Sequence, residues 1–320
     1  MIAFASALFL TLAGEPGWEW RAAAGAEINP ASHGDFSAGV RNGPWSIEFL
    51  TDTLDLRYAA PHTSGRHWVG LRGELIAAGL ISSPWTAGAP DPARARGAGY
   101  AGADAGWYVY FGPGLYAGVS AWIREYFLYG LSSTTVPVAD PSLVVAPSLV
   151  LGWWSEHGRV EVTGGGDFGV EHGREAGVLR SSPRIAVAAE LRPRWILAPR
   201  IELRAGAAED QDDLTRTRLG GLNPYSVPLA GAGWGEWWVE DYAAVRAGPC
   251  LSGELGEISL VVDAATFDGG SAFGLAALGK LRLPWLSIEG SLGFAPEIPR
   301  QPGVSRLSAW IKLSREWSPF

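Results

Sequence analysis

Hydrophobic and polar residues alternate with a period of two between residues 183 and 209. One set of alternate positions is apolar and the other is largely charged: Ile185, Val187, Ala189 and Leu191 against Arg184, Glu190, Arg192 and Arg194. After the short break WILAP, the alternation resumes with Ile201 and Leu203 against Arg200, Glu202 and Arg204. Successive side chains of a β-strand point to opposite faces. The pattern therefore predicts a hairpin with one apolar face and one charged face.

The same alternation continues almost to the C-terminus. It is present in residues 257–264, 273–283, 286–294 and 307–314, and no amphipathic helical stretch interrupts it. Upstream stretches such as LYAGVSAWIREYFL and RVEVTGGGDFGV are less regular but still fit a strand period better than a helical one. The chain is therefore predicted to be all-β.

The breaks between predicted strands alternate between short and long. Counted back from the C-terminus, short breaks at 283–285, 195–199, 155–158 and 112–114 alternate with long ones at 295–303, 210–236, 172–182, 130–140 and 81–99. Short periplasmic turns and longer extracellular loops are typical of bacterial transmembrane barrels. A closed barrel also pairs every backbone group, so its apolar face can meet lipid while its charged face lines a wet lumen. We therefore predict a transmembrane antiparallel up-and-down β-barrel.

The number of strands is less well defined by the pattern. About fifteen candidate strands can be recognised, whereas single-chain bacterial barrels have an even number. The stretch FSAGVRNGPWSIEFLTDTLDLRY reads either as two strands joined at Asn42 and Gly43 or as one long bulged strand, and its phase changes between Thr51 and Thr53. We expect fourteen strands, with sixteen as the alternative.

Composition and charge narrow the possible partners and compartments. The net charge of −8 gives no overall basic field that would attract nucleic acid. The single cysteine, Cys250, excludes an internal disulfide framework and a cysteine-cluster metal site, and we expect no metal and no cofactor. The apolar run MIAFASALFLTLAG is too short for a membrane-spanning helix. It predicts a signal peptide over residues 1–14, or alternatively an apolar first strand, with a single barrel domain over residues 15–320.

Aromatic residues of a membrane barrel are expected at the strand ends, where they meet the lipid headgroups. Several tryptophans lie beside predicted turns or loop junctions and form a candidate aromatic belt: Trp153, Trp154, Trp195, Trp237, Trp238, Trp285 and Trp317. The last strand, VSRLSAWIKLSREW, resembles the terminal targeting strand of outer-membrane proteins, which has alternate apolar residues and ends in an aromatic one. Both features predict location in the bacterial outer membrane.

The lumen-facing charges of the hairpin form a candidate functional cluster near its periplasmic end. The cluster comprises Arg192, Arg194, Arg200 and Arg204, with Glu190 and Glu202 among them. One hypothesis is an anion-favouring constriction, because rings of charged side chains select ions. The alternative is a structural ladder of ion pairs between neighbouring strands.

A second candidate site is the sequence His62-Thr63-Ser64-Gly65-Arg66. It resembles the His-x-Ser stretch of outer-membrane phospholipases and lipid A deacylases. Residues two apart on a strand share a face, so His62 and Ser64 could act as base and nucleophile. Strand counting places this stretch at a periplasmic turn, and the alternative is a turn histidine beside Pro61 and Gly65.

The longest loop carries a family resemblance. RLGGLNPYSVPLAG, residues 218–231, followed by an acidic aromatic strand, resembles the extracellular loop of the outer-membrane assembly-factor superfamily, whose members insert or secrete proteins. That loop typically reads Leu-Gly-Gly, a few residues, then Arg-Gly-aromatic, and folds into the lumen. Here no Arg-Gly-aromatic sequence follows Gly221, while five predicted strands follow the loop, as in that family. The resemblance implies that Arg218, Gly220 and Gly221 belong to an inward-folded plug; the alternative is a surface loop braced by Pro224 and Pro228.

Together these patterns predict a non-enzymatic outer-membrane barrel that acts as a narrow, porin-like or loop-gated conduit for small solutes or lipids. The alternatives are an assembly-factor-like barrel for protein or lipid insertion, and a barrel acyl hydrolase that uses His62 and Ser64. The expected partners are outer-membrane lipid and lipopolysaccharide.

Overall fold

A computed structural model shows that the chain folds into a closed antiparallel β-barrel. It describes residues 19–28, 33–42, 45–50, 53–61, 67–76, 85–86, 89–90, 96–130, 142–171, 179–191, 196–209, 216–220, 227–233, 236–298, 302 and 304–315. In chain order, the strands are β1 (Glu19–Ile28), β2 (His33–Asn42), β3 (Trp45–Leu50), β4 (Thr53–Pro61), β5 (His67–Ile76), β6 (Trp85–Thr86), β7 (Ala89–Pro90), β8 (Arg96–Tyr110), β9 (Leu115–Gly130), β10 (Ser142–Ser155), β11 (Gly158–Glu171), β12 (Leu179–Leu191), β13 (Leu197–Ala208), β14 (Thr217–Leu219), β15 (Trp237–Val239), β16 (Tyr242–Gly253), β17 (Gly256–Phe267), β18 (Gly270–Arg282), β19 (Ser287–Phe294) and β20 (Leu307–Arg315).

Sixteen of these strands form the barrel, and each pairs with its neighbour along the chain. The short strands β6, β7, β14 and β15 form two separate two-stranded sheets. Closure comes from antiparallel pairing of the first and last strands, which runs from Ala22 opposite Arg315 to Ile28 opposite Ala309. The predicted transmembrane up-and-down barrel is confirmed. Within the described residues, no helix is long and apolar enough to cross a membrane.

The barrel has the sixteen strands that the sequence left as the alternative, rather than the expected fourteen. The difference lies in residues 33–61, which form three strands, β2, β3 and β4. The Asn42-Gly43 sequence does separate two strands, because β2 ends at Asn42 and β3 begins at Trp45. The change of phase near Thr51 reflects a second tight connection between Leu50 and Thr53, which pair with each other. A two-residue connection reverses the chain without any run of turn residues, so the pattern could not reveal it.

The outer surface of the barrel carries the apolar set of alternate residues. On β10, Leu149 is 69% exposed and Leu151 is 55% exposed, whereas the intervening Ser148 and Val150 are buried on the lumenal side. The same alternation holds on β17, where Ile258 and Leu260 are exposed and Ser259 and Val261 are buried. Large apolar side chains facing outward around a closed sheet are stable in lipid and unfavourable in water.

The two ends of the barrel differ in their connections. The turns at 111–114, 156–157, 254–255 and 283–286 lie at the end that also holds Glu19 and Arg315, near the chain ends. The longer connections after β9, β11, β13 and β19 lie at the opposite end, where the connections between β3 and β4 and between β17 and β18 are tight exceptions. Short turns mark the periplasmic side of such barrels, so the long connections face outward from the cell.

A charge at the outer midpoint of β10 tests whether this surface contacts lipid. Leu149→Lys is expected to reduce the free energy of unfolding in bilayers by about 2–4 kcal/mol, because a charged lipid-facing residue at the midplane loses hydration. Ala188→Lys is the control, since Ala188 is exposed on the lumenal face of β12, opposite Arg204. Reversible unfolding in liposomes measures both. Equal effects of the two substitutions would contradict a lipid-facing Leu149.

Candidate functional site

The connection between β13 and β16 sends a segment back into the barrel. Its two flanks pair as a short hairpin, β14 with β15. Beyond Leu219, the Val227 N–H donates to the Arg218 oxygen at 2.8 Å and the Gly220 N–H donates to the Val227 oxygen at 2.9 Å. These bonds turn the chain towards the lumen. We call residues 227–233 the inward segment.

The inward segment is packed in an apolar cluster. Leu229 is 2% exposed, and Ala230 and Ala232 are fully buried. The cluster joins the hairpin and the segment to lumenal residues of the barrel and to the connection after β19: Leu219, Val227, Leu229, Ala232, Val239, Ala244, Ala265, Ala272, Ala295 and Ile298. Removing this apolar surface from water supplies the main force that holds the segment inside.

Two backbone N–H groups of the segment bind side chains of the barrel wall. The Ala230 N–H donates to Asp263 Oδ2 at 2.8 Å, and the Gly231 N–H donates to Ser308 Oγ at 2.9 Å. Asp263 lies on β17 and Ser308 on β20, and both are 1% exposed. Buried backbone groups need such partners, because a buried N–H without a hydrogen bond is destabilised by the whole of its desolvation free energy.

Asp263 also forms a buried ion pair with Arg246 on β16. The arginine donates from Nε to Oδ1 and from Nη2 to Oδ2, both at 2.7 Å, in a bidentate arrangement. The carboxylate therefore accepts three hydrogen bonds, two from the wall and one from the segment. A buried charge pair of this kind is stable only while both partners and their remaining hydrogen bonds are present. The inward segment thus supplies the third hydrogen bond to the Asp263 carboxylate.

Small residues on the wall make room for the segment. A Cβ on Gly274 of β18 would lie 2.5 Å from the Ala230 oxygen, and a Cβ on Gly293 of β19 would lie 3.0 Å from the Ala230 Cβ. Gly231 has a φ of 74°, which favours glycine, and a side chain there would collide with the backbone of Ala295. The backbone of the segment therefore lies directly against the barrel.

The residues expected to form a plug have different placements. Gly220 is buried with a φ of 109°, at the point where the hairpin leads to the inward segment. Arg218 stays on the hairpin, with its guanidinium 4.2 Å from the centre of the Trp238 ring. Gly221 and Pro224 lie outside the described residues. Residues 227–233, which include Pro228, follow an inward path.

The predicted charge cluster consists mainly of paired groups where the structure describes it. Arg200 Nε donates to Glu202 Oε1 at 2.7 Å and its Nη1 lies 3.9 Å from Glu257 Oε1, while Glu190 is 3.5 Å from Arg159. Arg204 faces the lumen between Ala188 and Ala244. Arg192 and Arg194 are outside the described residues.

Similar pairs occur elsewhere around the lumen. Arg184 donates to Asp167 at 2.8 Å, Lys280 lies 2.7 Å from Glu289, and Arg21 pairs with Glu48. Opposite charges on neighbouring strands stabilise each other across the sheet. This arrangement fits the ion-pair ladder better than a ring of cations held open for anions.

The tryptophans of the candidate aromatic belt lie in different environments. Trp153 and Trp285 are exposed near the periplasmic end, and Trp154 is 62% exposed on the lumenal register of β10. Trp237 and Trp238 do not belong to a belt, which corrects the expectation. Trp237 packs against Phe267, with the ring centres 5.3 Å apart, because β15 is part of the hairpin above the inward segment. Trp195 and Trp317 lie outside the described residues.

His62 and Ser64 also lie outside the described residues, so the hydrolase alternative stays a prediction. The strands on either side, β4 and β5, place their connection at the periplasmic end of the barrel. In the described parts of the chain, no group of three or more His, Cys, Asp or Glu residues could hold a metal ion.

Sequence reasoning missed the wall residues of this site, although a signal was present. The lumenal positions of β17 and β18 are unusually small or apolar for a wet lumen: Val261, Ala265, Ala272, Gly274 and Ala276. A lumenal face with this character needs a covering layer, because apolar residues are not stabilised by water. Asp263, set alone among them, marks the place where the cover forms hydrogen bonds.

Comparison with solved structures identifies the fold. CdiB from Acinetobacter baumannii matches with a TM-score of 0.62 at 11% identity over 94% of this chain, which spans 60% of that protein. BamA from Haemophilus ducreyi lacking POTRA domains 1–3 gives 0.64 at 9% identity, over 94% of this chain and 70% of that one. CdiB from Escherichia coli gives 0.62 at 12% identity, over 94% and 63% respectively.

No protein-family model and no curated protein matches the sequence. The closed barrel, its apolar outer surface and these structural similarities nevertheless agree with one another. The chain folds into a transmembrane β-barrel, and this fold is similar to those of the CdiB and BamA structures.

Proposed function

We propose that the protein is a loop-gated conduit for small solutes across the outer membrane, with the inward segment as its gate. The observation that carries this proposal is the attachment of Ala230 and Gly231 to Asp263 and Ser308 on the lumen wall. Outer-membrane lipid and lipopolysaccharide would surround the apolar outer face.

The inward segment is suited to movement because the strand pairing of the barrel does not include it. All neighbouring barrel strands, including β1 and β20, pair directly with each other. An apolar cluster and at least two hydrogen bonds hold the segment against the wall; the bond to Ser308 is worth about 1 kcal/mol and the bond to the charged Asp263 about 1.5–3 kcal/mol. Its release would therefore leave the ladder of strands intact.

The part of the lumenal surface that the inward segment does not cover is compatible with water. Charged side chains line β11, β12, β13 and β19, with Glu161, Glu190, Arg204 and Glu289 among them. A charge-lined lumen is typical of barrels that pass hydrated solutes. Since the lumenal cations Arg159, Arg184 and Lys280 each pair with a carboxylate, we expect weak selectivity between anions and cations.

Deletion of residues 212–232 tests the conduit directly. The purified wild-type protein should give small or infrequent conductance steps in planar bilayers, and the deletion variant should give larger and more persistent ones, because the gate is absent. Migration of the folded barrel on unheated gels controls for folding. A folded deletion variant without channels would count heavily against a conduit.

A second candidate function is insertion of proteins or lipids into the outer membrane. It is supported by the structural similarity to CdiB and BamA and by the inward course of the loop between β13 and β16. The chain spans about 60% of the length of the CdiB protein from A. baumannii, so that protein's activity as a whole is not transferred here. Faster membrane integration of an unfolded barrel substrate by the reconstituted protein would support this candidate.

A further inference from the structure

The lumen contains an aromatic surface on the side away from the inward segment. Tyr108, Tyr110 and Tyr116 all occupy lumenal positions, Tyr110 directly opposite Tyr116 on the neighbouring strand. They lie at the periplasmic ends of β8 and β9. In the closed ring of sixteen strands, β9 is seven places from β18, which contacts the inward segment. We call these three residues the tyrosine patch.

The patch is continuous and accessible. The Tyr116 ring centre lies 5.7 Å from that of Tyr110 and 6.1 Å from that of Tyr108. Tyr110 is 42% exposed, and the other two are half-buried. These distances are typical of aromatic pairs in contact. The rings therefore form one surface at the periplasmic mouth of the lumen.

Glycines fix the positions of two of the rings. A Cβ on Gly118 would lie 2.5 Å from Tyr108 Cδ1 and one on Gly106 would lie 2.8 Å from Tyr108 Cε2, so this ring covers both glycines. The Tyr116 ring covers Gly152 on β10 in the same way. An aromatic ring seated over glycine has little freedom to reorient, and a rigid surface loses less entropy when it binds a ligand.

Hydrogen-bond donors and acceptors both border the tyrosine rings. The Tyr116 hydroxyl donates to Glu161 Oε2 at 2.6 Å, and the Tyr108 hydroxyl is hydrogen-bonded to Ser120. Arg159 lies two residues before Glu161 on the same lumenal face, with its side chain 62% exposed. Acceptors and donors thus alternate around an aromatic centre, and neither charge dominates.

We propose that the tyrosine patch binds pyranose sugars of an oligosaccharide at the periplasmic mouth of the lumen. A pyranose has an apolar C–H face that packs on an aromatic ring, and hydroxyls at its edge that both donate and accept. An acyl chain would match the ring faces but would form no hydrogen bonds with the Tyr116 hydroxyl, Glu161 or Arg159. This inference rests on the proposed conduit, since it names the class of solute that the conduit passes.

Calorimetric titration of the purified protein with maltohexaose tests the site, in a detergent whose headgroup is not a sugar. Saturable binding is expected. Tyr110→Ala should weaken it about tenfold, and Tyr110→Phe should change it less than about twofold, because the ring surface is kept. Trp107→Leu is the matched control, because Trp107 lies on the same strand and faces outward.

Three results would overturn the proposal: no saturable heat, equal losses in Trp107→Leu and Tyr110→Ala, or displacement of the sugar by tetramethylammonium or palmitate. The titration needs no membrane, so its outcome is separate from conductance. If the 212–232 deletion variant forms channels but the protein does not bind the sugar, only the sugar site is refuted. If the protein binds the sugar but forms no channels, the conduit is refuted and the sugar site is retained.

Discussion

Asp263→Asn will open the barrel more than any other single substitution at the site. Asparagine has nearly the same shape as aspartate but cannot neutralise Arg246, which is buried beside it and donates two bonds at 2.7 Å. Breaking one side of a buried ion pair costs about 3–5 kcal/mol. Withdrawal of the inward segment would let water reach the arginine and reduce that cost. The closed state is therefore disfavoured.

Planar-bilayer recordings should show a higher open probability for Asp263→Asn than for the wild type. Glu289→Gln is the matched control, because Glu289 pairs with Lys280 at 2.7 Å on a lumenal surface where both side chains are about one-quarter exposed. Such a hydrated pair contributes at most about 1 kcal/mol. If Asp263→Asn folds normally and conducts like Glu289→Gln, Asp263 does not hold the gate closed.

The sequence predicted the parts of the barrel in which one face is uniformly apolar. On β12 and β13, large apolar residues face outward and charged or small ones face inward, so alternation alone assigns each residue to lipid or lumen. It failed to fix the strand number where β3 and β4 are joined by two residues. Alternation reports faces, but it does not report chain reversals that lack Gly or Pro.

The candidate site was predicted only in outline. The resemblance at residues 218–231 indicated a loop that folds inward, but not its partners on the wall. Asp263 and Ser308 lie far from the loop in the sequence, and barrel closure brings them together. The role of Arg246 could not be predicted either, because in the sequence it looks like any other lumen-facing arginine of a strand.

The sugar site was missed for a related reason. Tyr108, Tyr110 and Tyr116 lie near predicted turns, where aromatic residues are expected at the lipid headgroups. Their register on β8 and β9 turns them into the lumen instead, opposite Gly118 and each other. A shift of one residue moves every side chain of a strand to the other face. The distinction between belt and lumen therefore requires the pairing of the strands.

Gly274→Val provides a test of the gate that leaves all charges unchanged. A Cβ at this position would lie 2.5 Å from the Ala230 oxygen, so the valine side chain cannot coexist with the inward segment in its present position. The barrel should tolerate the substitution, because valine is favourable in strands. The segment is expected to move out of the lumen and the conductance to rise, with a smaller gain than in Asp263→Asn because Arg246 keeps its partner.

Gly279→Val is the control for the Gly274 substitution. It lies on the same strand and faces outward, and a Cβ there would meet no atom within 4 Å. Trypsin cleavage after Arg218 measures segment release independently of conductance, since withdrawal should expose that bond. We expect faster cleavage and larger currents only in Gly274→Val. If both valine variants behave alike, close packing of Ala230 on β18 does not keep the barrel closed.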